Sequence, residues 1–316
     1  MRVRVAGGAG LVGQHLCLEL ARRGVEVAAT RHHAPVLGVP SDPCDLTRFD
    51  DCLAVTRGFD CVAICAIEKS GTMLEATSPT AEILPTLQIV GGLLEACSRN
   101  GVANALLMSS ATVYPECTHP IREDALDHNV PPSPLYEGVG EMHRYLERLA
   151  AHYTRVSKTQ VTIVRATSMY GPHDRFGQGA NVLAALVRRA VEKIDPFVVW
   201  GDGSAVRDFY FAADTARDLA DLIARPLPGI PLNLGSGVAS TVREAVDAVL
   251  AESGHAVQPT YDTSRPTASL CRTVDISRLE AHLGTRARTS LQDGLRQTIH
   301  WYRQASDAER RIRIRR

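Results

Sequence analysis

The first residues able to do chemistry stand at the amino terminus, in Gly7-Gly8-Ala9-Gly10-Leu11-Val12-Gly13. They follow Val3-Arg4-Val5-Ala6, which reads as a short buried strand, and lead into an amphipathic helix carrying Leu16, Leu20 and Ala21 on one side. Such a turn brings the backbone N–H groups of Gly10, Leu11 and Val12 towards a pyrophosphate at the positive end of a helix. Its last glycine, Gly13, lets the helix lie close on the strand. Gly24 closes the helix and Val25 to Ala29 form a second strand. A glycine triplet alone is weak; set between a strand and a helix, ahead of a second strand, it predicts a dinucleotide site.

The end of the second strand selects the dinucleotide. An NAD site places Asp or Glu there to hold the ribose 2′-hydroxyl. This chain has Thr30-Arg31-His32-His33 and no acid before Asp42. A carboxylate would repel a 2′-phosphate, whereas Arg31 can clamp one in a forked, charge-assisted pair. NADP is therefore the expected cofactor, with NAD the alternative.

The elements that must position these groups alternate along the chain. Asp45-Leu46 follows a Pro- and Gly-rich loop, Phe49 to Arg57 reads as a helix, and Asp60 to Ala66 as a third strand ending at Cys65-Ala66, beside the cofactor. The loop from Ile67 to Ser78 carries Lys69 at the carboxyl end of the sheet, where ligands collect. Thr80 to Asn100 reads as a long helix bent at Pro85, Ala103 to Ser109 as a fourth strand, Pro134 to Val156 as a helix, and Thr159 to Arg165 as another strand. This alternation predicts an α/β protein with a Rossmann-type doubly wound parallel sheet over residues 1–168. From Met169 the pattern loosens into short elements broken by Gly and Pro. It predicts a smaller C-terminal α/β substrate lobe, mainly residues 169–305, with part of that half returning to the first domain.

Length and charge are consistent with this plan. A chain of 316 residues is long enough for one large sheet and an appended lobe. The 35 basic and 35 acidic residues balance, so no global charge draws it to nucleic acid. The exception is a basic tail, residues 306–316, with five arginines between Arg310 and Arg316, expected to be a solvated, disordered end. No apolar run approaches a membrane span, and Met1-Arg2-Val3 enters the first strand without a signal peptide, so a cytoplasmic protein is expected. Eight scattered cysteines without a CxxC pair read as small buried hydrophobes in a reducing cytosol, and no metal-ligand spacing stands out.

Ser109-Ser110-Ala111-Thr112-Val113-Tyr114 ends the fourth strand and places hydroxyls where nicotinamide and substrate would meet; Tyr136 follows Ser110 by 26 residues, at the start of a long helix. Together with Tyr170-Gly171-Pro172, Gly201-Asp202-Gly203, Arg207-Asp208-Phe209, Asn233 to Gly237 and Arg265-Pro266, nearly the whole chain resembles the extended short-chain dehydrogenases/reductases that act on nucleotide sugars. The resemblance implies that Ser110, with Thr112 beside it, polarises a sugar carbonyl and that Tyr136 is the acid/base. It implies that Asp45-Leu46 lies over the adenine and that Arg207 and Arg265 face the diphosphate of a nucleotide-diphosphate sugar. It also implies a homodimer pairing through the helix of Tyr136 and the one before it, where Leu146, Leu149 and Tyr153 serve either that face or the core. Asn181 reads as a hydrogen-bond partner of a phosphate or the sugar, or as the cap of the next helix. Trp200 reads as a stacking partner of the base or as strand core. His173 reads as a turn residue, and Asp208 as structural, paired with Arg207 or a backbone amide.

Two departures shape the expected function. The family reads Tyr-x-x-x-Lys, but here Tyr136 is followed one helical turn later by Gly140. The family's lysine lowers a phenol pKa of about 10 and holds the nicotinamide ribose, and glycine does neither. The charge on the nicotinamide with Ser110 could suffice. Another cation could substitute: Lys69 above all among the three lysines, or His143 and Arg144 further along the helix. Alternatively the chain has given up catalysis. Secondly, Ala111-Thr112 puts no acid after the serine, which disfavours elimination chemistry. The motifs are similar to those of GDP-fucose synthase and sugar 4-epimerases. The epimerising Cys and His of the former are matched by Ala111-Thr112 and Asn181, with Cys117 and His173 off-register. The expected activity is NADP-dependent reduction of a nucleotide-activated keto sugar. The alternatives are an epimerase with tightly bound NAD(P) and a catalytically silent binding protein.

Overall fold

The computed structural model describes residues 1–67, 78, 80–116, 118–177, 179–265 and 271–314, without the side chains at 307, 308, 311 and 312. Lys69, Cys117 and Pro266 lie outside the described residues. The first half runs β1 (Arg2–Ala6), α1 (Leu11–Arg22), β2 (Glu26–Arg31), β3 (Ser41–Pro43), α2 (Phe49–Thr56), β4 (Cys61–Ile64), α3 (Ile83–Asn100), β5 (Asn104–Ser110), α4 (Glu137–Val156), β6 (Gln160–Ala166) and β7 (Ser168–Tyr170). The second runs α5 (Val182–Val191), β8 (Val198–Trp200), β9 (Val206–Phe211), α6 (Ala212–Ala224), β10 (Leu232–Leu234), β11 (Ala239–Thr241), α7 (Val242–Ser253), β12 (Thr260–Asp262), β13 (Cys271–Arg272), α8 (Ser277–Leu283), α9 (Leu291–Gln304) and α10 (Asp307–Ile314).

Among the described residues, seven parallel strands form the main sheet in the order β10-β6-β5-β4-β1-β2-β3. Winding starts at β1 and proceeds outward in both directions, so the switch point lies between β1 and β4, where the loops diverge and leave a crevice. Strand alternation explains the two cores. Val3 and Val5 face one layer with Leu16 and Leu20 of α1 and Leu219 of α6. Ala6, Val62 and Ile64 face the other, with Val90 and Leu93 of α3 and Leu146 of α4. Arg4 is buried and donates to the Val55 and Ala29 carbonyls and, at 2.6 Å, to Asp42. The α3 helix begins at Ile83 rather than at Thr80. Pro85 therefore sits in its first turn, where a missing N–H breaks no internal bond.

The second half contributes α6 and β10 to this main layer. It also builds a smaller one, in which β7, β11 and β13 pair with β9, β8 pairs with β12, and α5, α7 and α9 surround an aromatic-rich core. Leu146 is buried in the core of Ala6, Val62 and Ile64, half-buried Leu149 and Tyr153 pack against it, and the Tyr153 hydroxyl donates to Glu95 at 2.7 Å. The sequence end also differs from the expected solvated tail. Residues 307–314 form α10, Ile314 packs on the smaller core, and Arg313 touches the glycine turn. Among the described residues, no helix is long and apolar enough to cross a membrane.

A buried polar network joins the elements that end at the crevice. Arg165 on β6 and Glu147 on α4 have side chains only 4% and 6% exposed and meet at 2.8 Å. Ser109 on β5 donates to the same carboxylate at 2.6 Å. Arg165 also donates to the Tyr114 hydroxyl, which donates to Asn233 on β10. Glu147→Ala leaves a buried guanidinium without its counter-charge and is expected to lower unfolding free energy by about 3–5 kcal/mol, as read from urea denaturation of the full chain.

Candidate active site

The carboxyl edge of the main sheet and the smaller lobe enclose a cavity of about 520 Å3. One end is the glycine turn. Gly7 has φ +86°, and a Cβ there would lie 2.8 Å from the Ala66 backbone. A Cβ on Gly13 would collide with the Gly7 carbonyl, so α1 could not approach β1 with any larger residue. Helix α1 starts from an extended Gly10 with no side-chain cap and no acid in its first turn. Its first N–H groups and its positive end thus face the cavity beside Gly10, Leu11, Val12 and Gly13. These residues fit a dinucleotide pyrophosphate.

The flank of the turn is basic. Thr30 accepts from the Gly7 N–H at 2.9 Å, which leaves Arg31 at the strand end, followed by the stacked rings of His32 and His33. The nearest following acid, Asp42, is held by Arg4. Asp45 accepts from the Thr47 hydroxyl and N–H, bonds that hold its carboxyl below the usual range, and so caps the turn into α2. Leu46 is buried in the core beneath it. Cys65 lines the cavity, its thiol raised by burial, whereas Gly7, Arg31, Asp45, Leu46 and Ala66 stand outside the cavity wall.

At the middle of the cavity the structure brings Ser110, Thr112 and Tyr136 together. Ser110 ends β5, and its Oγ accepts from the Thr112 N–H at 3.2 Å, starting a short 3-10 turn over Ala111–Val113. Thr112 Oγ1 is buried with no hydrogen-bond partner, an arrangement that a ligand oxygen would satisfy. Tyr136 enters from the 3-10 turn Pro134–Tyr136 that leads into α4, and Val139 and His143 follow on the same side of the cavity. Arg144 turns away: it donates from Nε to the Val113 carbonyl and pins the Ser110 turn to α4.

Gly140 is not an open gap. A Cβ there would lie 2.5 Å from the Thr112 carbonyl and 2.6 Å from Pro132 Cβ, so the helix is seated directly on the turn that carries Thr112. Among the described residues, a cation over the Tyr136 ring comes from another element. The Arg272 guanidinium carbon lies 4.0 Å from the Tyr136 ring centroid. Strand pairing sets Arg272 on β13 opposite Arg207 on β9, and both line the cavity. Burial, together with the neighbouring charge of Arg272, pushes Arg207 down to about 10. The sequence motifs point to Arg207 and not to Arg272. The available signal was the short Cys271-Arg272-Thr273-Val274 run, whose pairing with β9 only the fold reveals.

Asn181 occupies the N-cap position of α5 but makes no side-chain cap bond, and it lines the cavity with Trp200. Arg265 lies outside the wall, with 58% of its side chain exposed, paired with Asp262 at 3.4 Å and set over the Trp200 ring. Asp208 is fully buried and accepts from the Ser236 and Gly237 N–H groups, so its role is to hold that turn. His173 sits in a turn at φ +66°, its ring edge-on to Trp301 at 4.8 Å and near His15 at 5.7 Å. Among the described residues, no group of three or more His, Cys, Asp or Glu could hold a metal ion.

The profile described as the NAD dependent epimerase/dehydratase family matches residues 3–235. The GDP-L-fucose synthase of Escherichia coli is 28% identical over 325 residues, covering 97% of this chain and 98% of that protein. GDP-L-fucose synthase 1 of Arabidopsis thaliana is 29% identical over 313 residues, covering 95% and 93%. Among solved structures, the UDP-glucose 4-epimerase of Thermus thermophilus in complex with NAD is similar at a TM-score of 0.83 and 28% identity, over 97% of this chain and 100% of that one.

Two outcomes test this geometry. Gly140→Ala is expected to destabilise the fold by about 1–3 kcal/mol through overpacking, more than the roughly 1 kcal/mol that helix propensity returns; thermal and urea unfolding report it. Burial, with His15 and Arg313 nearby, pushes His173 down to about 4. With the folded value below the ordinary 6.5, the unfolded chain binds the extra proton. The stability contributed by neutral His173 is complete above pH 6.5 and falls as pH drops towards 4. His173→Asn, which tolerates the left-handed backbone, should remove about 2 kcal/mol of the stability difference between pH 7 and pH 5.

Proposed function

Because the chain belongs to the NAD dependent epimerase/dehydratase family, we propose that it is an NADP-dependent reductase of a nucleotide-activated keto sugar. The observation that carries this reading is the single cavity joining the glycine turn to Ser110, Thr112 and Tyr136, with Arg207 and Arg272 across from them. Bound at the glycine turn, the dinucleotide supplies hydride. Arg31, with Asp42 already engaged by Arg4, favours the 2′-phosphorylated form.

Ser110 and the unpartnered Thr112 hydroxyl donate to the keto oxygen and stabilise the negative charge that grows on it. Tyr136 delivers the proton to that oxygen. The Arg272 guanidinium on its ring places a fixed positive charge beside the phenol as it gives up that proton. The work that one lysine does in the family pattern is thereby taken by an arginine from another strand. Arg207 and Arg272 together present two positive charges to a diphosphate, and Asn181 and Trp200 line the way to it. The chain works as a homodimer in this reading, with the exposed Leu84 of α3 and Tyr145 of α4 available to pair.

A second reading, a nucleotide-sugar epimerase that recycles its dinucleotide, is favoured by the likeness to the 4-epimerase of Thermus thermophilus. Net cofactor consumption separates the two. Incubated with NADPH and GDP- or UDP-linked 4-keto-6-deoxy sugars, the full chain is expected to oxidise one equivalent of NADPH per sugar, followed by absorbance. Tyr136→Phe should lower kcat by about 10²–10⁴ with NADPH binding unchanged, and Arg272→Met should lower it by about 10-fold. Isomerisation without net oxidation identifies the epimerase. Tight ligand binding with neither reaction identifies a catalytically silent member.

A further inference from the structure

The segment Asp307–Ile314 reaches the glycine turn from the far end of the sequence. Arg313 donates from Nη1 to the Ala9 carbonyl at 2.7 Å, and its side chain lines the cavity next to Gly10, Leu11 and Gly13. Its backbone is fixed as well, because the Phe176 N–H donates to the Arg313 carbonyl at 2.9 Å. Gly177 lets the segment pass: a Cβ there would overlap the Ile314 carbonyl. Ile314 is packed on the core of the smaller lobe.

The guanidinium adds to a positive helix end already present at this wall. The guanidinium stands beside the start of α1, where the helix dipole is already positive and no acidic side chain lies in the first turn. The two histidines near it, His15 and His173, are both depressed by burial, with the Arg313 charge adding to the effect. A ligand that carries negative charge to this wall meets the helix end and the guanidinium together.

We propose that Arg313, carried to the cavity wall on α10, is a cofactor-binding residue whose guanidinium meets the cofactor pyrophosphate at the start of α1. This rests on the reading of the cleft as an NADP site. The pyrophosphate lies between the α1 N–H groups and the Arg313 fork, and loss of the fork weakens any ligand that contains it.

The test is NADPH binding to the full chain, by nicotinamide fluorescence or calorimetry, with ADP-ribose as a second probe that keeps the pyrophosphate and lacks nicotinamide. Arg313→Gln is expected to weaken both about 10- to 100-fold, the loss that goes with one charge-assisted hydrogen bond. Arg313→Lys should recover part of the loss, and the penalty should shrink at high salt. Gly177→Ala, which displaces the segment without touching Arg313, should weaken NADPH to a similar degree. The double variant should then be no weaker than the worse single one. If the native chain binds NADPH and Arg313→Gln binds it equally well or more tightly, the proposal is overturned while the cofactor reading stands; tighter binding would make the segment an obstruction. If the native chain binds neither NADPH nor ADP-ribose, the cofactor reading falls and this proposal falls with it.

Discussion

The Glu147–Arg165 pair fixes the centre of the molecule. It is buried on both sides and bidentate, and its remaining hydrogen-bonding capacity is taken by Ser109, Tyr114 and the Glu123 carbonyl. A buried ion pair is weak evidence for stability, because desolvation offsets much of the attraction. Its consequence here is positional. Ser109 is the residue before Ser110, and Glu147 lies three turns along the helix that Tyr136 opens. One carboxylate therefore holds the end of β5 and the side of α4 in a fixed relation, and the two hydroxyls that face the cavity inherit it. Through Tyr114 and Asn233 the same network ties in β10, and Asn233 in turn donates to the Ile121 and Asp275 carbonyls. The strand end, the helix and the returning strand are joined in one hydrogen-bonded network.

That rigidity bears on Gly140. With α4 seated on the Ala111–Val113 turn, both by Arg144 on the Val113 carbonyl and by the close approach at Thr112, no side chain fits at position 140. The glycine is therefore more than a lysine lost. It permits a helix-to-turn contact that a longer residue would prevent. In the proposed reading, positive charge at the phenol comes instead from β13, whose Arg272 lies over the Tyr136 ring.

What could be read from the sequence divides along the same line between local and remote. The strand–turn–helix unit, the alternation that builds the parallel sheet and the placement of Ser110 and Tyr136 depend on residues near in sequence, and the glycines leave few conformations to choose from. Arg272 and Arg313 were not legible for that reason. Arg272 matters because β13 pairs in register with β9, and Arg313 because α10 docks across the molecule onto Ala9. The end of the chain looked solvated from its charge density. Ile314 outweighs that expectation by packing on the smaller core, and Arg313 finds the glycine turn. Leu146, Leu149 and Tyr153 were ambiguous between an interface and the core, because helical spacing alone does not say which neighbour covers a face. Here Leu146 is covered by α3 and the main sheet, while Leu149 and Tyr153 pack against that core and stay half-buried.

The distribution of charge suggests why the two lobes close over one cavity. Arg207 and Arg272 are held side by side by strand pairing, and burial makes their proximity unfavourable enough to depress Arg207 to about 10. Arg313 and the start of α1 repeat the arrangement at the opposite end. In the reading proposed above, a ligand pair with one diphosphate at each end and an uncharged reacting centre between them matches the layout: positive wall, hydroxyls, positive wall. In that reading the affinity gained at the ends holds the middle still, so hydroxyls at Ser110, Thr112 and Tyr136 act on a neutral carbonyl that offers them little binding energy of its own.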